Sequence, residues 1–315
     1  MAVTLAQAAL LSQNNLQRGV IETFIIESVV LDRIPLLEIE GNAYAYNMEA
    51  TLPGVEFRAV NSAYAESTGT VNQRTETLVI LGGDADVDTF IAQTRGDLND
   101  QRAIHTRMKV KAATYKYQDA FVNGDVAVDA NGFDGLKKRL TGSQVIAAAA
   151  NGLPVIGASD NDRYAFLDQL DALISLVGAP GPDALYMNRS IRQKLFSSAR
   201  RLTIYDQTVD TFGRTIAQYN GIPILDIGTR PDGTLIIPQT ETQGTAVNAS
   251  SIYAVKFGQS EADGGMTGLT NGGIQVKDLG EIDAKPVYRT RLEFFCGLAA
   301  FSGTAAARLS GVLNA

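Results

Sequence analysis

Apolar positions change their period along this chain, and each change marks a different kind of element. Residues 1–20 carry scattered leucines among small and polar side chains, with one positive charge at Arg18. So little apolar surface predicts a segment that is either disordered or an arm ordered against a neighbouring chain. Residues 20–40 are more apolar. Pro35 divides them into a short helix or extended piece and a strand from Leu36 to Glu40. From Tyr44 to Ile80 turn formers recur at Pro53-Gly54, Asn61-Ser62 and Ser67-Thr68-Gly69, leaving predicted strands Gly54–Val60 and Thr70–Leu81. They predict a long two-stranded hairpin with a polar tip. A ribbon of this kind is marginal alone and needs support from elsewhere.

At Gly82-Gly83-Asp84 the period is expected to change again. Val87, Ile91, Leu98, Met108, Ala112 and Tyr115 recur mostly at multiples of three, four or seven. That spacing predicts an amphipathic helix from Asp84 to roughly Asp119, about 50 Å long at about 1.5 Å per residue. Asp84, Asp86 and Asp88 would lie at its positive end, with Lys109, Lys111 and Lys116 toward its negative one. Gly82-Gly83 is the expected hinge before the helix and Gly96 the expected bend within it. Asn123-Gly124 and Asn131-Gly132 bracket a predicted strand, Val126–Asp129. The middle third reads as α+β: helices Asp160–Val177 and Arg189–Arg200, with strands Ala184–Met187, Gly221–Ile227, Thr234–Pro238, Ser251–Gly258 and Gly273–Asp278. The stretch YRTRLEFFCGLAA opens as an apolar strand with Leu292, Phe294, Phe295 and Cys296, expected to return beside the long helix.

Composition narrows the function classes. Only 19% of the 315 residues are charged, against 45% hydrophobic, which leaves a neutral surface compatible with broad contacts between subunits. The 27 Lys and Arg are dispersed among 34 Asp and Glu, for a net charge of -7. Gripping a nucleic-acid backbone needs a concentrated positive field, so the charge distribution argues against sequence-specific DNA or RNA binding but not against enclosing nucleic acid. A single cysteine, Cys296, forms no intrachain disulfide and fits a reducing cytoplasm. The first residues lack the basic stretch of a secretory signal, and no apolar run reaches the about eighteen residues of a membrane span.

No catalytic, cofactor-binding or metal-ligating set can be assembled from the sequence. His105, the only histidine, falls inside the long helix without partners for a zinc site or a Ser-His-Asp triad. Cys296 sits in an apolar strand without an electropositive neighbour. GGDADVD presents carboxylates where a phosphate loop would need backbone donors. The Gly-rich stretch from Ser260 to Gly273 lacks the lysine of a P-loop and the aspartates of a calcium loop. Asp160 and Asp162 read as a helix cap, Asp168 and Asp171 as a solvated face.

The order of elements, with the closing KPVYRTRLEFFCGLAAFSGTAAARLSGVL, resembles the HK97-like fold of tailed-bacteriophage major capsid proteins, which encapsulins share. The resemblance implies an α+β capsid fold with an N-terminal arm at 1–45, an extended E-loop hairpin at 46–83 and a peripheral P-domain with the spine helix at 84–149. It further implies an axial A-domain at 150–275 and a C-terminal strand, 276–315, returning to the P-domain. The implied function is non-enzymatic: self-assembly as pentamers and hexamers, in the host bacterial cytoplasm, into the icosahedral head of a virion enclosing double-stranded DNA. Implied partners are a separate scaffolding protein, a portal protein and, in some members, a decoration protein, with no membrane and no cofactor. The alternatives are an encapsulin-type nanocompartment shell and a soluble enzyme with a polar pocket. Some family members crosslink an E-loop lysine to a neighbouring asparagine. Here the first lysine is Lys109, so the implied shell is held without E-loop lysine crosslinks. Arg58 and Arg74 are the expected intersubunit contacts, because an arginine fork meets a carboxylate at two points.

Overall fold

Two strands of unusual length organise the structure. In the computed structural model, which describes residues 28–94, 101–202, 206–209 and 215–315, β13 (Met266–Ile282) and β14 (Lys285–Ala300) pair antiparallel over nearly their whole lengths. Each spans about 50 Å at about 3.3 Å per residue. β1 (Leu36–Glu38) adds parallel to β13, and β4 (Val79–Asp88) adds antiparallel to β14, giving a sheet in the order β1-β13-β14-β4. Alternation sorts its side chains. Leu292, Phe294, Cys296 and Leu298 of β14, with Val79 and Leu81 of β4, join the core under the long helix α2 (Gln101–Asn123), which contributes Val110, Ala113, Tyr117 and Phe121. Tyr117 lies 5.8 Å, ring to ring, from both Phe133 and Phe294.

The long helix begins later than its apolar spacing predicts. Asp84, Asp86 and Asp88 belong to β4, and only a short helix, α1 (Thr89–Thr94), precedes α2 among the described residues. The reason is a cross-strand charge ladder: Asp84 faces Arg291 and Asp86 faces Arg289 in register. Such pairs stabilise a sheet, and carboxylates that look like helix N-terminal residues are strand partners. Gly82 and Gly83 also lie within β4, opposite Glu293 and Leu292. Gly96 lies outside the described residues.

The hairpin is shifted as well. Its strands are β2 (Ala43–Thr51) and β3 (Thr70–Thr77), and residues 54–60 form no strand. The alternation that matters is AYAYNMEAT, which points Tyr46 into a small core beside Leu269, Ala299 and Phe301. Residues 126–129 form a turn: the Asp125 carboxylate accepts from Ala127 N at 2.9 Å, while its carbonyl accepts from Val128 N and Asp129 N.

Among the described residues the second sheet has nine strands. Its main path is β5-β15-β12-β7-β10-β9-β8: β5 (Val145–Ala147), β15 (Ala306–Leu313), β12 (Ala246–Val255), β7 (Ala184–Met187), β10 (Ile222–Asp226), β9 (Thr215–Tyr219) and β8 (Asp206–Val209). β6 (Leu153–Pro154) pairs with β15, and β11 (Glu241–Gln243) with β12. Residues 234–238 form no strand. The central strands are buried on both faces, as the run ALYM of β7 requires. Leu185 and Met187 face α4 (Asp160–Ser175) and α5 (Arg189–Arg201), with Phe166, Leu170, Ile191 and Leu195. Ala184 and Tyr186 face the core shared with α2 and β14. Ser159 caps α4 in a capping box with Asp162, and Asn188 caps α5 by accepting from Ile191 N at 2.8 Å.

One segment departs from the predicted return to the long helix. β14 does pack there, but β15 inserts between β5 and β12. Ala306, Ala307, Leu309 and Val312 are buried, and only a central strand gives that composition somewhere to go.

Candidate functional site

The described residues hold no group of three or more His, Cys, Asp or Glu side chains placed to bind a metal. His105 is exposed on α2, and Asp171 accepts from Tyr219 Oη at 2.8 Å and from Asn220 at 3.3 Å. Burial pushes the Cys296 thiol up to about 12. The surfaces that carry information are those presented outward.

The first is the hairpin tip. Every residue from Thr51 to Thr75 is exposed, including Leu52, Val55, Phe57, Val60, Tyr64 and Val71. Val55 is 95% and Phe57 107% exposed, so these side chains contribute almost nothing to the core of their own chain. The tip is nevertheless shaped. Glu56 Oε1 accepts from Ala65 N at 2.8 Å, Ser67 Oγ donates to the Gly54 carbonyl at 2.9 Å, and the Thr51 and Thr70 hydroxyls meet at 2.6 Å. Arg58 donates to the Ser62 carbonyl at 3.1 Å and lies 5.2 Å from the centre of the Tyr64 ring. Arg74, in β3, faces Tyr46 across the ribbon. The two arginines singled out from the sequence are therefore not brought together.

The second is the root of the hairpin, which sequence reasoning missed. Arg139, the last residue of α3 (Leu136–Arg139), reaches Glu76 of β3 with two parallel bonds, Nη1 to Oε1 at 2.6 Å and Nη2 to Oε2 at 2.8 Å. Two further donors go to the carbonyls of Asp134 at 2.6 Å and Leu298 at 2.9 Å. The Tyr46 hydroxyl donates to Glu76 at 3.4 Å and accepts from Ala300 N at 3.3 Å. Burial alone would depress the Arg139 guanidinium. Its bonds and charge pairing with Glu76 outweigh that and hold its pKa above the usual value. Hairpin, α3 and the end of β14 thus meet at one nearly dry cluster.

The third is the outer face of the four-stranded sheet, opposite α2. Arg291 binds Asp84 at 2.8 and 3.0 Å, and Arg289 binds Asp86 at 2.7 and 2.6 Å, each in two-point fashion. Arg289 also reaches Asp84 at 3.2 Å, and Lys277 pairs with Glu293 at 3.5 Å. The bonds from Arg291 hold the Asp84 carboxyl below its ordinary range, and those from Arg289 do the same for Asp86. The signal was present as two alternating patterns, GDADVD and YRTRLE, both with strand period.

The family model described as "Major capsid protein GP7" matches residues 13–165. Among solved structures, the holo-SrpI encapsulin complex from Synechococcus elongatus PCC 7942 is similar at TM-score 0.65 and 16% identity, covering 100% of this chain and 97% of that one. The capsid of a native GTA particle is similar at TM-score 0.64 and 16% identity, over 91% of this chain and 90% of that one. A chain from Microbacterium phage Oxtober96 is similar at TM-score 0.59 and 14% identity, over 91% of each. No curated protein matches in sequence.

Proposed function

We propose that this chain, whose fold is that of phage capsid and encapsulin chains, belongs to the HK97-like capsid proteins, assembles with copies of itself into a shell, and builds the icosahedral head of a tailed bacteriophage around double-stranded DNA; the capsid family model over residues 13–165 supports this reading. The observation that carries this reading is the solvated hairpin tip: Val55, Phe57 and their neighbours have no partner surface within the described chain and gain one only against another subunit. A contact of modest strength suffices, because a closed lattice engages each subunit many times at once.

In this proposal the subunits group as pentamers and hexamers in the host cytoplasm, with residues 46–83 as E-loop, 84–149 as P-domain and 150–275 as A-domain. A scaffolding protein, a portal and in some lattices a decoration protein complete the particle. Arg58 and Arg74 remain proposed contacts across subunits; for Arg58, that requires its hold on Tyr64 to be shared or exchanged. Gly82-Gly83 and Gly96 remain the proposed points of bending between lattice states. Lys109 as first lysine supports a shell without E-loop lysine crosslinks, and denaturing gels of mature particles showing ladders of multimers would overturn that point.

A second reading, a compartment shell filled with protein, is favoured by the match over the whole chain to the Synechococcus shell. Electron microscopy of particles from the source decides between them. Heads with DNA or attached tails support the first reading, and small DNA-free shells with protein cargo support the second. For the tip itself, Phe57→Asp in the purified chain is expected to abolish large particles in gel filtration while leaving a folded subunit. Normal assembly of that variant would remove the tip from the reading.

A further inference from the structure

Helix α2 carries a second apolar surface that the core does not use. Its buried face is made by Val110, Ala113, Tyr117 and Phe121. Nearly opposite, Ile104 and Met108 are exposed, Met108 by 62%, and half-buried Tyr115 continues the row about two turns on. At 100° per residue these three fall within about 40° of one another around the helix, so they form one ridge. The ridge has a charged border. Arg107 and Lys111 lie on one side, His105, Lys109 and Lys116 on the other, and Lys111 stacks 5.7 Å from the Tyr115 ring.

The charge balance of α2 runs against the rest of the molecule. It holds five basic residues, Arg102, Arg107, Lys109, Lys111 and Lys116, and one acidic residue, Asp119. Subtracting these from 27 basic and 34 acidic residues leaves 22 and 33, so the helix is +4 while the remainder is -11. Some of this charge is answered internally: Arg102 pairs with Asp278 at 2.6 Å and Lys116 lies 3.8 Å from Asp129. Arg107 projects beside the ridge and is exposed.

We propose that the ridge of Ile104, Met108 and Tyr115, with its basic border, docks an acidic amphipathic helix of a separate assembly partner. The row of residues four and seven apart is the surface a second helix packs against, and the border selects a partner with glutamate or aspartate flanking its apolar stripe. A nucleic-acid backbone fits less well, since it offers nothing apolar to cover Met108. The tip of a second copy fits less well too, since residues 51–70 carry only Glu56 and Glu66 against Arg58. The inference goes beyond the shell reading and can fail without it.

The test uses full-length subunits dissociated from purified particles. Three fluorescent probes are titrated by anisotropy: a designed helical peptide with leucine at heptad a and d positions and glutamate elsewhere, the same peptide with lysine for glutamate, and a 20-base-pair DNA duplex (roughly two helical turns). The acidic peptide is expected to bind, the lysine peptide not, and the affinity to fall at least about tenfold in Met108→Glu and to weaken with salt in the wild type. Arg107→Glu provides a second variant at an exposed position with the same expected direction. Binding of duplex in preference to the acidic peptide, equal binding of both peptides, or an affinity unchanged in both variants would overturn the proposal. Failure of peptide binding with normal reassembly of the wild-type shell would sink the docking surface and leave the shell reading standing.

Discussion

Replacing Arg139 by methionine tests whether the hairpin is held at its root by one buried ion pair. The two side chains are 9% and 20% exposed, so removal of one strands the other almost out of water. Breaking a buried pair costs about 3–5 kcal/mol. The residual exposure of Glu76 and its bond from Tyr46 place Arg139→Met near the lower end, about 3 kcal/mol. Glu76→Leu is expected to cost a similar amount, with Arg139 keeping its bonds to the carbonyls of Asp134 and Leu298. If the pair acts as a unit, the double variant costs about 2 kcal/mol less than the two single effects added. Native-state hydrogen exchange, followed by mass spectrometry on peptides covering 43–51 and 70–77 in full-length subunits, reads the opening free energy of the root. Peptides from β12 serve as the remote reference. A coupling within about 0.5 kcal/mol of zero, or an equal loss of protection in β12, would refute the reasoning.

Three further outcomes are expected. Asp84 and Asp86 titrate below their unfolded pKa near about 3.9, so their contribution is present above that pH and is lost as pH falls through the lower folded values. Exchange protection of β4, corrected for intrinsic rates, should therefore hold from neutral pH to about 5 and decline below about 4; Asp84→Asn should flatten that profile, and an unchanged profile would exclude these pairs as its source. Cys296, buried and with its thiol pushed up to about 12, should resist iodoacetamide at pH 8 in the native subunit and react once urea unfolds it; rapid native alkylation would contradict its burial. Gly82→Ala should destabilise by about 1–3 kcal/mol because its Cβ would overlap the Leu292 carbonyl, whereas Gly83→Ala should be nearly neutral. At Gly83 the nearest atom is the Lys109 amine at 3.1 Å, the end of a chain that can swing away. Urea denaturation of the two variants compares them directly, and equal midpoints would be the contrary result.

Elements whose pattern is set by local burial were readable from the residues alone. Strand Ala184–Met187 is recovered as predicted, and the helix starts at Asp160 as expected, with Asp162 in its cap and Ser159 supplying the capping hydroxyl that sequence reasoning missed. The failures share one physical origin, which is that the deciding partner is far along the chain. Asp84 and Asp86 look like helix N-terminal residues until Arg291 and Arg289 arrive about two hundred positions later to claim them. The Arg139–Glu76 pair has no local signature, since neither residue predicts the other. Arg58 was readable as a chemically capable residue, but its actual partners, Ser62 and Tyr64, are within its own turn. Tip exposure was readable in part: the turn formers predicted a polar end, and the apolar residues between them proved to be the more informative half.

The late insertion of β15 bears on when this chain can become competent. The centre of the nine-stranded sheet needs residues 306–313 beside β12, and β4 cannot finish its ladder until β14 has been made. A ribosome therefore releases the sticky hairpin tip long before it supplies the strands that hold the hairpin's surroundings in place. During synthesis the tip has no rigid body behind it, and pairing with another tip-receiving surface would be paid for twice in ordering entropy. Chain order in this way acts as a timer: in the proposed shell a subunit becomes fit to join others only after β15 has been translated, which would keep growth of a lattice away from shorter nascent chains.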